Sequence, residues 1–112
     1  MKLEKFIKSF SEFEVLNEGE QLDREVTKPY CCDLLSIAMS KMSQGAAWVT
    51  VMANVNTLAV ASLAEAACVI LAEGYTLDED TLNKAKEKGI TVLGTQLPVF
   101  ESALLVYNKL NE

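Results

Sequence analysis

The side chains with the greatest chemical reach in this chain are three cysteines, Cys31, Cys32 and Cys68, and the acidic run Asp78-Glu79-Asp80. Their spacing excludes more chemistry than it offers. The chain has no histidine, so the usual general base, the usual partner of a nucleophile and the commonest zinc ligand are missing. No G-x-x-x-x-G-K-[ST] loop is present to hold nucleotide phosphates, and no G-x-G-x-x-G follows a strand-like run. An iron-sulfur cluster takes four cysteine ligands at recognisable spacing, whereas this chain has two adjacent cysteines and a distant third. Three thiols cannot all pair, and a bond between neighbours is strained, which points to a reducing, cytoplasmic setting. Cys68 opens an apolar run and reads as a small buried hydrophobe. The acidic run reads either as a divalent-cation site or, more simply, as acids opposing a helix macrodipole. No catalytic residue, metal ligand or cofactor is expected.

The elements that must position these groups follow from periodicity. Leu3, Phe6, Ile7 and Phe10 make one helical stripe, and Phe13 with Val15 before Asn17-Glu18-Gly19 predicts a brief strand and turn. Leu22 to Tyr30 reads as an extended segment that Pro29 keeps out of mid-sheet. Asp33 is the expected cap of a short helix through Leu34, Leu35, Ile37, Ala38 and Met42 that ends near Gly45. Trp48 to Met52 is a buried strand. Asn54 or Asn56 then caps a helix from Thr57 to Ala67, followed by a second buried strand, Cys68 to Leu71. Thr76 and Glu79 have capping-box spacing for a polar helix that ends at Gly89. Ile90 to Leu93 is a third strand, and Pro98 opens a last helix with Phe100, Ala103, Leu104, Tyr107 and Leu110 at helical spacing. Strands alternating with helices predict a single α/β domain over residues 1–112, three layers deep, with helices flanking a largely parallel or mixed sheet.

Sixteen acids against ten bases give a net charge of −6 over 112 residues, and the bases are scattered. That balance argues against nucleic acid or an anionic membrane as partner. The apolar stretch from Gly45 to Ala72 is broken by Asn54, Asn56, Thr57 and Glu65, so it reads as soluble core and not as a membrane span. The amino terminus shows no apolar signal segment.

The segment Leu22-Asp23-Arg24-Glu25-Val26-Thr27-Lys28-Pro29-Tyr30, followed by Asp33-Leu34-Leu35-Ser36, resembles the DRTGG domain family, named for an Asp-Arg-x-x-Thr-Gly-Gly-like run. Trp48-Val49-Thr50-Val51, the Asn56 region and Gly89-Ile90 before Leu93-Gly94-Thr95 extend the likeness over nearly the whole chain. The resemblance implies a fold like the amino-terminal domain of HPr kinase/phosphorylase, grouped with an α/β domain of the Mur ligases. It also implies a regulatory or assembly role, since such domains occur inside phosphate acetyltransferases and inorganic pyrophosphatases. Some free-standing members lie near hydrogenase genes, which implies a hydrogenase-associated or iron-sulfur-related accessory role. Lys28 and Pro29 stand where the family carries two glycines; proline fixes φ and removes an amide donor, so an anion cradle there would be altered. Asp23 and Arg24 are retained and would serve either a ligand or an ion pair that pins the turn.

In open α/β sheets ligands bind beyond the carboxyl ends of parallel strands. That rule selects Asn54, Asn56, Thr57, Gly94 and Thr95, to which the resemblance adds Asp23, Arg24 and Thr27. The bland reading of the asparagines and Thr57 is that they cap a helix. The expected function is a non-catalytic regulatory or assembly module that forms a homodimer and contacts a partner enzyme or complex, with Met39, Met42, Met52 and Trp48 as adaptable contact surface. The alternative is a sensor for a nucleotide or other phosphorylated metabolite.

Overall fold

The computed structural model describes residues 1–112. In chain order it comprises α1 (Leu3–Lys8), β1 (Glu14–Asn17), β2 (Lys28–Cys31), α2 (Leu35–Lys41), β3 (Ala46–Thr50), α3 (Val55–Leu63), β4 (Cys68–Leu71), α4 (Glu79–Lys88), β5 (Val92–Gly94) and α5 (Val99–Leu110). The strands form one sheet in the order β1-β5-β4-β3-β2. β2, β3, β4 and β5 are parallel, and β1 is antiparallel to β5 at the far edge. The sheet is therefore mixed, with both irregular elements of the first half placed at its edges.

Every position of β3, β4 and β5 is buried. Parallel strands covered on both faces cannot alternate polar with apolar, which is why these segments read as continuous runs of Ala, Val, Leu, Ile and Trp. On one face Phe6 of α1 and Val106 of α5 join Phe10, Phe13, Val49, Ile70 and Leu93. The three phenylalanines pack in sequence, Phe6 edge-on to Phe10 and Phe10 tilted against Phe13, with ring centroids 4.9 and 4.6 Å apart. On the other face Ala38, Leu58, Ala61 and Ala85, from α2, α3 and α4, cover Trp48, Val69, Leu71 and Val92. Small side chains on these helices let their axes lie close to the sheet, where Trp48 takes up the volume.

Pro29 lies in an edge strand, as its chemistry requires. Ala46 and Thr50 present their carbonyls toward β4, to Ala67 N and Ala72 N. Ala47 and Val49 must then face β2, and in a parallel ladder their Cα partners Pro29 and Cys31 point away. The missing N–H of Pro29 is thus on the open side, where it blunts an otherwise free strand edge.

Several expectations need correction, some because a tertiary contact outcompetes a local one and others because a neighbouring residue makes the local bond instead. Asp33 caps nothing: α2 starts at Leu35 with Leu34 in the cap position and no side-chain cap bond, while Asp33 turns to β3. α3 ends at Leu63 instead of Ala67, and a turn containing Glu65 at φ 57 leads into β4. Of the two asparagines offered as caps of α3 it is Asn54 that caps it, whereas α4 is capped by Asp78 and not by Thr76. Met42 and Trp48 are core residues, so the proposed methionine surface is reduced to Met39 and Met52 at its margins. The last helix turns only part of the expected stripe inward. Ala103 and Leu110 pack against the core beside buried Ser102 and Val106, whereas Phe100, Leu104 and Tyr107 face solvent.

Candidate functional site

The residues singled out in the sequence divide between two opposite edges of the sheet. β3 has five residues, so its four intervals at about 3.3 Å each put about 13 Å of strand between the edges. Asn54, Asn56, Thr57, Gly94 and Thr95 lie at the carboxyl ends of the parallel strands; Asp23, Arg24 and Thr27 lie at the amino ends. One ligand-sized site cannot contain both sets.

At the carboxyl edge most of the selected groups are already occupied. Asn54 Oδ1 accepts from Thr57 N at 3.1 Å, and Thr57 is itself buried with its hydroxyl turned to the same oxygen at 3.4 Å. These are the bonds of a helix cap. Asn56 is exposed. Thr95 Oγ1 accepts from Leu97 N at 3.2 Å, and Leu16 closes over Gly94, where an added Cβ would stand 3.0 Å from a leucine methyl. A shallow cleft of about 170 Å³ remains between Glu12, Glu14, Gly74, Tyr75, Thr76, Gly94, Thr95 and Gln96.

Asp33 is the residue the sequence did not single out here. Its Oδ1 accepts from the buried Thr50 hydroxyl at 2.6 Å and from Val51 N at 3.0 Å, and Thr50 Oγ1 in turn accepts from Met52 N at 3.2 Å. Trp48 Nε1 donates to Cys32 O at 3.0 Å. Together these bonds stitch the end of β2 to the end of β3. The only signal in the sequence was an acid next to a strand end, which a cap explains equally well.

The cysteines do not converge. Cys31 and Cys32 stand at the carboxyl end of β2 and Cys68 at the amino end of β4; all three are free thiols. Burial pushes the Cys31 thiol pKa up, and the charges of Asp33 and Cys32 add to the shift. Cys68 is pushed up to about 12 by complete burial, opposed only in part by Arg24. Both thiols are held in their protonated, poorly nucleophilic form at neutral pH. No group of three or more cysteine, aspartate or glutamate side chains lies close enough to hold a metal ion. Asp78 accepts from Thr81 N at 2.8 Å, and Glu79 and Asp80 occupy the first turn of α4, the arrangement of acids against a helix dipole.

At the amino edge Arg24, half-buried, forms no ion pair with Asp23 or any other carboxylate. Its guanidinium donates to Ala66 O at 2.9 Å, and its carbonyl accepts from Leu3 N at 2.9 Å, so the turn is pinned by backbone contacts and not by the expected acid–base pair. Glu25 instead binds the Met1 amine, with Lys2 Nζ 4.0 Å away, and that hydrogen bond lowers its pKa against an opposing effect of desolvation. Thr27 N donates to Gly45 O at 2.9 Å and Thr27 Oγ1 to Gln44 O at 3.1 Å. Two clefts flank Arg24. One, of about 190 Å³, includes Gln21, Ser62, Glu65, Lys88 and Thr91 in its wall. The other, of about 390 Å³, is lined only by Gln21, Arg24, Glu25, Thr27, Gln44 and Gly45.

The arrangement has counterparts among known proteins. The family model of the DRTGG domain matches residues 7–108. The chain belongs to the DRTGG domain family. No curated protein matches its sequence. Among solved structures it is similar to the CBS and DRTGG domains of the regulatory region of Clostridium perfringens pyrophosphatase, determined in complex with the activator diadenosine tetraphosphate; the TM-score is 0.70 at 19% identity, over 84% of this chain and 41% of that one. This chain therefore spans less than half of the regulatory region it matches. The likeness establishes the shared DRTGG fold, a mixed sheet flanked by helices. In this member the two positions expected to carry the family's glycines, Lys28 and Pro29, open the edge strand β2, beside the Arg24 turn. No helix is long and apolar enough to cross a membrane.

Proposed function

We propose that this DRTGG domain is a non-catalytic regulatory or assembly module that forms a homodimer and contacts a partner enzyme or complex. The observation that carries the reading is the outer face of α5. Phe100, Leu104 and Tyr107, at i, i+4 and i+7, are 70%, 43% and 56% exposed, while Ser102 and Val106 on the opposite face are buried. A helix with apolar groups on both faces is a helix expected to be covered on both. The regulatory setting of the pyrophosphatase DRTGG domain supports the same role. Sedimentation velocity across concentration tests self-association: the wild-type chain is expected to dimerise by high micromolar concentration and Leu104→Glu to remain monomeric. A strictly monomeric wild-type chain removes the homodimer.

A second reading, a sensor of a nucleotide or phosphorylated metabolite, is supported by Arg24. It is the chain's single arginine, it has no acidic partner, and it stands between two polar clefts. Its free guanidinium donors suit a phosphate or carboxylate oxygen. The pyrophosphatase regulatory region binds a dinucleotide activator, diadenosine tetraphosphate. A thermal-shift screen with nucleotides tests it, since a ligand at 100 times its Kd stabilises by about 2.7 kcal/mol. The shift is expected to vanish in Arg24→Met. No shift with any nucleotide removes this reading and leaves the first intact.

A further inference from the structure

The net charge of this molecule is concentrated on one edge. The segments at the carboxyl ends of the parallel strands and at the start of β1 carry Glu12, Glu14, Asp33, Glu73, Asp78, Glu79, Asp80 and Glu101, with no lysine or arginine among them. At the amino edge the acids Glu18, Glu20, Asp23, Glu25, Glu65 and Glu87 are matched by six bases, Lys2, Arg24, Lys28, Lys41, Lys86 and Lys88. The topology produces this asymmetry. Acids favour helix starts and bases favour helix ends, and in parallel crossovers every helix start lies at the same edge. Uniform acidity at the carboxyl edge disfavours an anionic ligand there, which is where the general rule for α/β sheets would place one.

The same edge is also apolar. Each of the four parallel strands is followed, in the connection or the first turn of the next helix, by a large apolar side chain in solvent: Leu34 after β2, with Ile37 beyond it, Val55 after β3, Tyr75 after β4 and Phe100 after β5, the four at 54%, 41%, 54% and 70% exposure. Glu73 N donates to Leu97 O, which fixes the start of α5 to the end of β4 and brings Phe100 within one helical turn of this edge. Tyr75 forms part of the wall of the shallow cleft between Glu14 and Gly94. Aromatic and aliphatic anchors surrounded by charge of one sign are the anatomy of an interface, with a desolvated centre and a charged rim. Charge complementarity selects the occupant. A second copy meeting edge to edge would set acid against acid, and an anionic bilayer would be repelled.

We propose that the carboxyl edge is a docking surface for a basic, amphipathic segment of a partner protein, whose apolar side chains contact Leu34, Val55, Tyr75 and Phe100 while its lysines or arginines face the surrounding carboxylates. This rests on the regulatory-module reading and names the chemistry of its partner. The surface is distinct from the middle and end of the α5 stripe, Leu104 and Tyr107, with Phe100 at the corner between them.

The test is a titration of the ¹⁵N-labelled chain with a synthetic amphipathic leucine-lysine helix, an oligolysine of equal charge and the leucine-glutamate counterpart. The expected result is binding of the leucine-lysine peptide with amide shifts confined to residues 33–35, 53–56, 73–76 and 95–101, and no binding of the acidic peptide. Leu34→Ser with Tyr75→Ser, both at exposed positions, is expected to weaken affinity about tenfold or more, as truncation of interface anchors does. Raising the salt from about 0.05 to about 0.5 M is expected to weaken it further. The proposal is overturned if the peptide does not bind, if shifts centre on Leu104, Tyr107 or the amino edge, if oligolysine binds as tightly, or if the double variant binds unchanged. Co-sedimentation with phosphatidylglycerol vesicles would equally overturn it in favour of a membrane. Each of these failures leaves the sedimentation result for the homodimer untouched, so loss of this surface is distinguishable from loss of the module reading.

Discussion

The two edges of the sheet are built from the same alphabet and held together differently. At the amino edge the bonds join residues far apart in the chain: Arg24 to Ala66, the Met1 amine to Glu25, Thr27 to Gly45, and Thr91 Oγ1 to Glu18 O. At the carboxyl edge most side-chain bonds are local, as in the Asn54 and Asp78 caps and the Thr95 turn, and the large apolar groups are left in water. The contrast teaches that the amino edge closes the fold and the carboxyl edge is free to face something else. Substitutions at the first should cost stability, whereas those at exposed positions of the second should cost binding.

The largest expected effect is at Gly45. Its φ is +82, and an added Cβ would stand 2.9 Å from Glu25 O and 2.9 Å from Thr27 Cγ2. Gly45→Ala combines about 1–2 kcal/mol of left-handed backbone strain with a similar or larger cost of overpacking against a backbone carbonyl. A shift of the urea midpoint at unchanged slope measures it. If Gly45→Ala is neutral, the amino edge is not the closure described above.

Next comes Arg24→Met, which keeps much of the apolar stem and removes the donor to the carbonyl of buried Ala66, with an expected loss of about 1–3 kcal/mol. Asp33 is the exception that sharpens the contrast, because it is a long-range clamp at the carboxyl edge. Asp33→Ala leaves the buried Thr50 hydroxyl and Val51 N without their acceptor and is expected to cost about 1–3 kcal/mol, while Asp33→Asn retains an acceptor oxygen and recovers most of it. Denaturant titration of the pair separates hydrogen bonding from charge.

Smaller still are the exposed anchors. Leu34→Ser and Tyr75→Ser are each expected to change stability by no more than about 0.5 kcal/mol, since neither side chain is buried. A larger loss in either would show that the edge is structural. The smallest effect is on pH dependence. Asp78 has its pKa lowered by the hydrogen bond from Thr81 N, so its contribution is present above the unfolded carboxylate value and is lost as pH falls through the lower folded value. Asp78→Asn should flatten the acid limb of the stability profile slightly, read from urea midpoints between about pH 5 and pH 2.

Much of this architecture was legible in the residues because the signals are local. Continuous apolar runs marked β3 and β4, Gly89 marked the end of α4 in the left-handed conformation its cap requires, Pro98 marked the start of α5, and Pro29 marked an edge strand. Each depends on a few neighbouring residues or on burial of a whole segment. The family likeness was legible for the same reason, from short runs recurring in order across residues 7–108. Errors arose wherever two readings of a local pattern were equally good. An acid before a helix reads as a cap whether or not a buried threonine on another strand claims it, as Thr50 claims Asp33. An apolar i, i+4, i+7 stripe reads as core on either side of a helix, and only the position of Ser102 and Val106 against the sheet shows that Phe100, Leu104 and Tyr107 lie outside.

The amino-acid sequence by itself determined the class of domain, its central strands and the acid-first, base-last order of its longer helices, because propensity, capping and burial act over distances of a few residues. Only the tertiary structure decided which edge each polar group occupies, since that depends on strand direction and strand order. Parallel crossovers, with the antiparallel edge strand β1, then brought eight carboxylates to one edge and separated Arg24 from Asn54 by the length of a strand, neither of which any stretch of the chain encodes alone.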